Sequence, residues 1–403
     1  MGNKEYSAIE SNYRALYGKL FSALINQFGT NHVNEIEDAL QNTFLKSLKT
    51  WRADNIPDNK ENWLFIVARN DVLNQIKRKN KERPEPILAE TDEYGTAKHD
   101  LRLETILFLS SSNKVSNRAK VMFILKNIFG LHVREISEST LLGQEAVYKS
   151  INRAKTNLQH EFKDMPIHSI TKKADKLQIA TVEEILYAVF NIGFDSFNDK
   201  IQSIVNEDLC LEALALAKEL FKNHQKGSTK NLLALFCFHL ARIPAKAAKG
   251  TLVPFFKQDQ AQWDKKLMGL GFSYLHKPEK LNRFYIEALI ASKYMTANSY
   301  NTEHWNEIIK LYELLTEYHN SPIVKLNLCY GLQQANRPEE ALIILADIEK
   351  ELPNGHLYFS LVKAELLKAT SPKASETILA SVMDNMGQAI RKEYLLQNGF
   401  ITV

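Results

Sequence analysis

Apolar residues recur at three- and four-residue steps along nearly the whole chain, and β-branched runs are few, so the pattern predicts an all-α fold. Residues 13–27 read as a first helix with Leu16, Leu20, Ala23 and Leu24 on one stripe. Residues 35–48 read as a second, with Ile36, Leu40, Phe44 and Leu48 inward and Glu37, Asp38, Gln41, Asn42, Leu45 and Lys46 outward. That outer face is either a solvated surface or, with its acidic edge and Leu45, a docking surface. A third helix starts at Trp63, after a loop carrying Asn55, Pro57, Asp58, Asn59 and Asn62. Its apolar positions run from Leu64 through Phe65, Ile66, Val67 and Ala68 to Val72, Leu73 and Ile76. Around them stand Arg69, Asn70, Asn74, Gln75, Lys77, Arg78, Lys79, Lys81 and Arg83, against only Asp71 and Glu82. A basic, amide-rich face suits phosphates and base edges. Cations near a helix C-terminus also complement its dipole, so both readings stand at this point.

The next stretch changes character. Residues 84–100 carry Pro84, Pro86, Glu85, Glu90, Asp92 and Glu93 with few large apolar residues, and read as an acidic linker. A second small helical unit follows over 101–165. Leu101, Leu103, Ile106, Leu107 and Leu109 mark one helix, residues 119–129 another, ended by Gly130. Then come a helix over 133–140, a turn at Leu142-Gly143-Gln144, and a helix over 145–159. Ile136, Leu141, Val147, Ile151 and Ala154 form their shared core and leave Gln144, Glu145, Tyr148, Lys149, Asn152 and Arg153 outward. This is a helix-turn-helix pattern, which also occurs in helical proteins that bind no DNA. Residues 176–403 hold long amphipathic helices without a comparable basic face. Near their end Pro338 and Pro372, Leu332 and Leu366, and Leu345 and Leu379 are each 34 apart, the tetratricopeptide period, which usually presents a surface to a protein or peptide.

Composition narrows the class. At 403 residues, 24% charged and 45% hydrophobic, the chain is long enough for two or three globular domains. Net charge is only +4, and the positive charge gathers on particular helices of the first 160 residues. Cys210, Cys237 and Cys329 are odd in number and far apart, fitting reduced thiols better than a disulfide framework or metal site. The N-terminus lacks a signal-peptide core, and the apolar run 232–240 is too short for a bilayer, so the expectation is a cytoplasmic protein away from membranes. HExxH, GxSxG, P-loop and GxGxxG patterns are missing, and His132, His160 and His168 are scattered. No enzymatic constellation and no cofactor are expected.

Three stretches carry a resemblance: EDALQNTFLKSLKTW (37–51), NWLFIVARNDVLNQIKRK (62–79) and VYKSINRAKTNL (147–158). With the spacing of Asp38, Gln41, Phe44, Trp63, Leu64, Ala68, Arg69 and Asn70, the N-terminal 165 residues resemble extracytoplasmic-function (ECF) sigma factors of the sigma-70 family. The whole chain is similar to their subgroup with a C-terminal tetratricopeptide-like domain, through KHDLRLETILFL (98–109), EILYAVFNIGF (184–194), NLLALFCFHLAR (231–242), QDQAQWD (258–264), YIEALIAS (285–292) and SPIVKLNLCYGL (321–332). It departs from that subgroup at Leu109-Ser110-Ser111-Ser112-Asn113, at Gln260, and at Ala248-Lys249-Gly250-Thr251.

The resemblance implies sigma region 2 over 1–83, a region 4 helix-turn-helix over 101–165, and a tetratricopeptide-like domain over 176–403. It implies docking on the clamp of the largest subunit of bacterial RNA polymerase core through Glu37, Asp38, Leu40, Gln41, Phe44 and Leu45. Asn59, Asn62, Trp63, Asn70, Asn74, Lys77, Arg78 and Lys79 would meet the −10 element of promoter DNA. Gln144, Glu145, Tyr148, Lys149, Asn152 and Arg153 would read the −35 element. Strand opening then needs a pocket for an unstacked base and cations along the single strand. Trp63 begins an apolar run and suits core as well as stacking. The competing reading is a repeat-regulated helix-turn-helix transcription factor that never docks on polymerase. The C-terminal half is expected to regulate the N-terminal parts and to hold any further protein or peptide partner.

Overall fold

A computed structural model describes residues 2–51, 56–82, 100–140, 142–163, 165, 167, 174–196, 204–248, 251–253, 257–352 and 356–397. The linker 84–99, Asn55 and Leu141 lie outside them. Among the described residues the fold is all-α apart from one two-residue antiparallel ladder, Ala247–Ala248 with Thr251–Leu252. Backbone proximity groups residues 1–137 with 144–185 in one unit, and 138–143 with 186–403 in the other.

The first unit is built around α1 (Gly2–Phe28). One side of it packs on α2 (Val33–Thr50) and α3 (Lys60–Glu82), the other on α4 (Arg102–Ser110) and α5 (Asn117–Asn127). Tyr17, Leu20, Phe21, Leu24 and Ile25 are therefore all buried, whereas Leu16 and Ala23 of the expected stripe are only half-buried. Phe21 meets Phe123 of α5 edge-on at 6.4 Å, while Tyr17 faces Phe44 of α2 at 6.3 Å. Gly18 permits the closest approach: a Cβ there would fall 1.6 Å from the Ile128 carbonyl oxygen.

The helix expected to start at Trp63 starts three residues earlier. Asn59 caps it, its Oδ1 accepting from the Asn62 N–H at 2.9 Å. α6 (Val133–Thr140) and α7 (Gln144–Glu161) follow, with Gly130 at φ +61° in the turn after α5. Ser112 and the Asn113 and Lys114 backbone N–H groups all donate to the Glu161 carboxylate, which ties the stretch after α4 to the end of α7.

α8 (Lys176–Phe194) leads into the second unit; among the described residues it alone is long and apolar enough to cross a membrane, and 61% of it is buried, as in a core helix. α9 (Glu207–His224) and the central α10 (Gly227–Ala241) follow, with Phe236 stacked on Phe190 at 4.1 Å. After α11 (Ile243–Lys246), α12 (Lys265–Tyr274) crosses α10 at Gly271, where a Cβ would lie 2.6 Å from the Phe238 ring. Then α13 (Arg283–Thr296) and α14 (Thr302–Tyr318), α15 (Pro322–Gln334) and α16 (Pro338–Ile348), and α17 (Leu357–Leu367) and α18 (Pro372–Asn385) pair as hairpins. The 34-residue echo marks equivalent positions: Pro338 and Pro372 each open a second helix, and Leu332 and Leu366 are both buried. The last helix, α19 (Ala389–Gln397), returns to the start of the unit. There Arg391 donates to Asp195 at 2.5 Å, and the Gln388 amide donates to the Ser196 carbonyl at 2.9 Å.

Candidate nucleic-acid and partner-binding faces

α7 divides cleanly. Val147, Ile151, Ala154 and Leu158 are buried, and the alternation forces Gln144, Glu145, Tyr148, Lys149, Asn152 and Arg153 outward. All six are exposed, Tyr148 by 51%. Glu145 and Lys149 sit one turn apart at 3.6 Å, both almost fully solvated, a pair too weak to hold either side chain from a ligand.

On α3, Leu64, Ala68 and Val72 fill the core. Asn62, Ile66, Asn70, Asn74 and Lys77 follow one another at three- and four-residue steps along the opposite, exposed face, with Arg78 beside them. Ile66 was expected among the buried positions and is instead 47% exposed, because it lies half a turn from both Leu64 and Ala68. The result is a row of amides interrupted by one aliphatic side chain and ended by two cations. Two members of the predicted −10 set have other engagements: Lys79 donates to the Glu35 carboxylate, and Asn59 is the helix cap. Trp63 is half-buried and meets Trp51 edge-on at 5.4 Å.

α2 splits the predicted polymerase contacts in two. Asp38, Gln41 and Leu45 are exposed; Leu40 and Phe44 are core. Glu37 was expected outward but is buried, its carboxylate accepting from Lys155 of α7 at 2.8 Å. Leu48 was expected inward but is 49% exposed. It continues the stripe Asp38–Gln41–Leu45, and with Leu45, at 55%, makes an apolar step on an otherwise polar face. A helical position four after Phe44 and three after Leu45 lies between their faces, and periodicity within α2 alone does not decide it.

The three thiols are buried and unpaired, and burial pushes each up to about 12, so they stay protonated and inert at neutral pH.

Residues 178–279, from α8 to just beyond α12, match a model described as a family of unknown function (DUF6596). The chain is similar to "Uncharacterized protein R00370" of Rhizobium meliloti (strain 1021), at 26% identity over 363 residues, covering 86% of this chain and 84% of that one. No solved structure matches.

Proposed function

We propose that the chain is a promoter-specificity subunit of bacterial RNA polymerase, an ECF-type sigma factor acting in the cytoplasm with a tetratricopeptide-like C-terminal domain. The observation that carries the reading is the α3 face. A row of amides with one aliphatic side chain, ending in Lys77 and Arg78, has little use in a helix that merely covers a core, and it suits bases and backbone of a separated strand. The exposed face of α7 supports it: Lys149 and Arg153 can reach phosphates or guanines, Asn152 and Gln144 can pair with adenine edges, and Tyr148 adds an apolar contact. On α2, Asp38, Gln41, Leu45 and Leu48 supply a polar face with an apolar centre for the polymerase clamp. Glu37, Leu40 and Phe44 act in that helix from within, by fixing its packing.

The test is reconstitution with bacterial RNA polymerase core and promoter DNA. Full-length protein should co-elute with core and open a promoter. Replacing Asp38, Gln41 and Leu45 together by alanine should weaken core binding by about 100-fold while leaving the thermal transition unchanged, since all three are exposed. Duplex binding without core binding would move the assignment to a helix-turn-helix transcription factor.

A further inference from the structure

Positive charge gathers inside the second unit, where α10 ends. The ring of Phe194, the last residue of α8, has the Lys246 ammonium 3.7 Å from its centre. The His239 ring lies 4.9 Å from it and the Arg242 guanidinium carbon 5.8 Å. Lys246 also donates to the Phe194 carbonyl and stands 3.8 Å from Asp195. That carboxylate is engaged already, because Arg391 of α19 donates to it at 2.5 Å. Burial first, then Arg242 and Arg391, hold Lys246 down at about 8 against the pull of Asp195. Arg242 is lowered to about 9 by burial, and the groups that act on its charge are the phenols of Tyr300, Tyr294 and Tyr312. Burial raises all three phenols, so each stays neutral at physiological pH. In the same cluster the Nδ1 of His239 is buried with no hydrogen-bond partner.

We propose that this cluster is a binding site for a small oxyanion of the phosphate-monoester class, held by Arg242 and Lys246 beside His239. A buried charge is costly unless a counter-charge and hydrogen bonds accompany it. Arg391 and Asp195 make a pair of their own, while Arg242 and Lys246 bring two positive charges to one aromatic ring. A dianion answers both charges, and a monocarboxylate answers one. A guanidinium, an ammonium and neutral phenols present donors to an oxygen-rich anion. One of its oxygens also gives the His239 ring nitrogen the partner that the fold does not supply. Size follows from access. Lys246 and Arg391 are buried, with side chains 9% and 7% exposed, whereas Arg242 is only half-buried. Approach from solvent is therefore past Arg242, an opening that suits a compact anion and not the face of an acidic protein. The site lies wholly within the C-terminal unit and is independent of the promoter-specificity reading.

The probe is inorganic phosphate, titrated into the full-length protein at neutral pH in a calorimeter, with ionic strength held by sodium chloride. One saturable site is expected, and acetate should bind about tenfold more weakly. Arg242→Met and Lys246→Met keep an unbranched side chain and remove a buried charge, a change that interiors tolerate. Each should weaken phosphate binding about tenfold or more. Wild type alone gives a second reading that does not depend on how either variant folds. Phosphate should slow hydrogen exchange over 239–246 and 294–312 and leave α17 and α18 unchanged, whereas general salt stabilisation slows all of them. Local slowing together with loss of affinity in both variants establishes the site. Absence of saturation overturns it, and so does saturable binding that survives both substitutions. Acetate bound as tightly as phosphate overturns the assignment to phosphate-class dianions.

Discussion

Replacing Gly18 by alanine is expected to destabilise the N-terminal unit by about 3 kcal/mol, although alanine is the better helix former by roughly 1 kcal/mol. The sign is decided by space. The added Cβ would sit 1.6 Å from the Ile128 carbonyl oxygen and 2.6 Å from its carbon. Both are backbone atoms, so no side-chain rotamer relieves the overlap; α1 and the end of α5 must move apart. Gly269, inside α12, is the control: nothing lies within 4 Å of its Cβ position, and alanine there should gain about 0.5–1 kcal/mol. Urea unfolding of the two variants, followed by hydrogen exchange in α1, α5 and α12, reads both signs in one chain. Faster exchange along the α1–α5 contact, with each lobe still protected, would mean that the substitution opens the unit before unfolding it. Equal stability of wild type and Gly18→Ala would show that the lobes do not pack this closely in solution.

What the chain reveals before folding depends on whether a position is settled within its own helix. The outward face of α7 was readable because Val147, Ile151 and Ala154 recur at helical spacing, and that alone turns Gln144, Glu145, Tyr148, Lys149, Asn152 and Arg153 outward. In the C-terminal half Asn282, Asn301 and Ser321 cap their helices, each accepting from a backbone N–H three residues on, which apolar periodicity does not mark. Positions decided by a distant partner were not readable either. α1 buries two sides because lobes separated by a long stretch of chain both pack on it, and a single-face periodicity cannot announce that. Glu37 looks like a surface carboxylate until Lys155 arrives from 118 residues away. Asp195 and Arg391 are 196 residues apart, and no local pattern pairs them. Ile66 is different in kind. A lone aliphatic residue in a run of apolar ones is naturally counted as core, and only counting its angle from Leu64 and Ala68 exposes it.

The C-terminal unit is expected to lose stability sharply on mild acidification, and His239 is the main reason. Burial first, then the positive charges of Arg242 and Lys246, lower its imidazole from 6.5 to about 3. Phe194 and Phe190 line it at 4.9 and 6.1 Å, and its Nδ1 is buried with no hydrogen-bond partner, so nothing nearby welcomes a proton. The folded unit therefore keeps the ring neutral, while the unfolded chain takes up a proton below about pH 6.5. Between pH 6.5 and 3 the unfolded state holds more protons, and stability falls as pH falls. From this one residue the loss should be about 2 kcal/mol by pH 5, approaching the order of 4–5 kcal/mol near pH 3. His319, lowered to about 4 mainly by burial, and His224, His304 and His356, also lowered, act in the same direction. Lys246, lowered to about 8 by burial, works on the alkaline side and leaves the acid window undisturbed, because it is protonated in both states below pH 8. His239→Leu isolates the central residue: whatever its absolute stability, it should lose about 2 kcal/mol less than wild type between pH 7.5 and pH 5 in urea titrations. Parallel losses in the two proteins would mean that His239 is solvated or paired in solution, and would remove the physical basis for an acid-sensitive C-terminal unit.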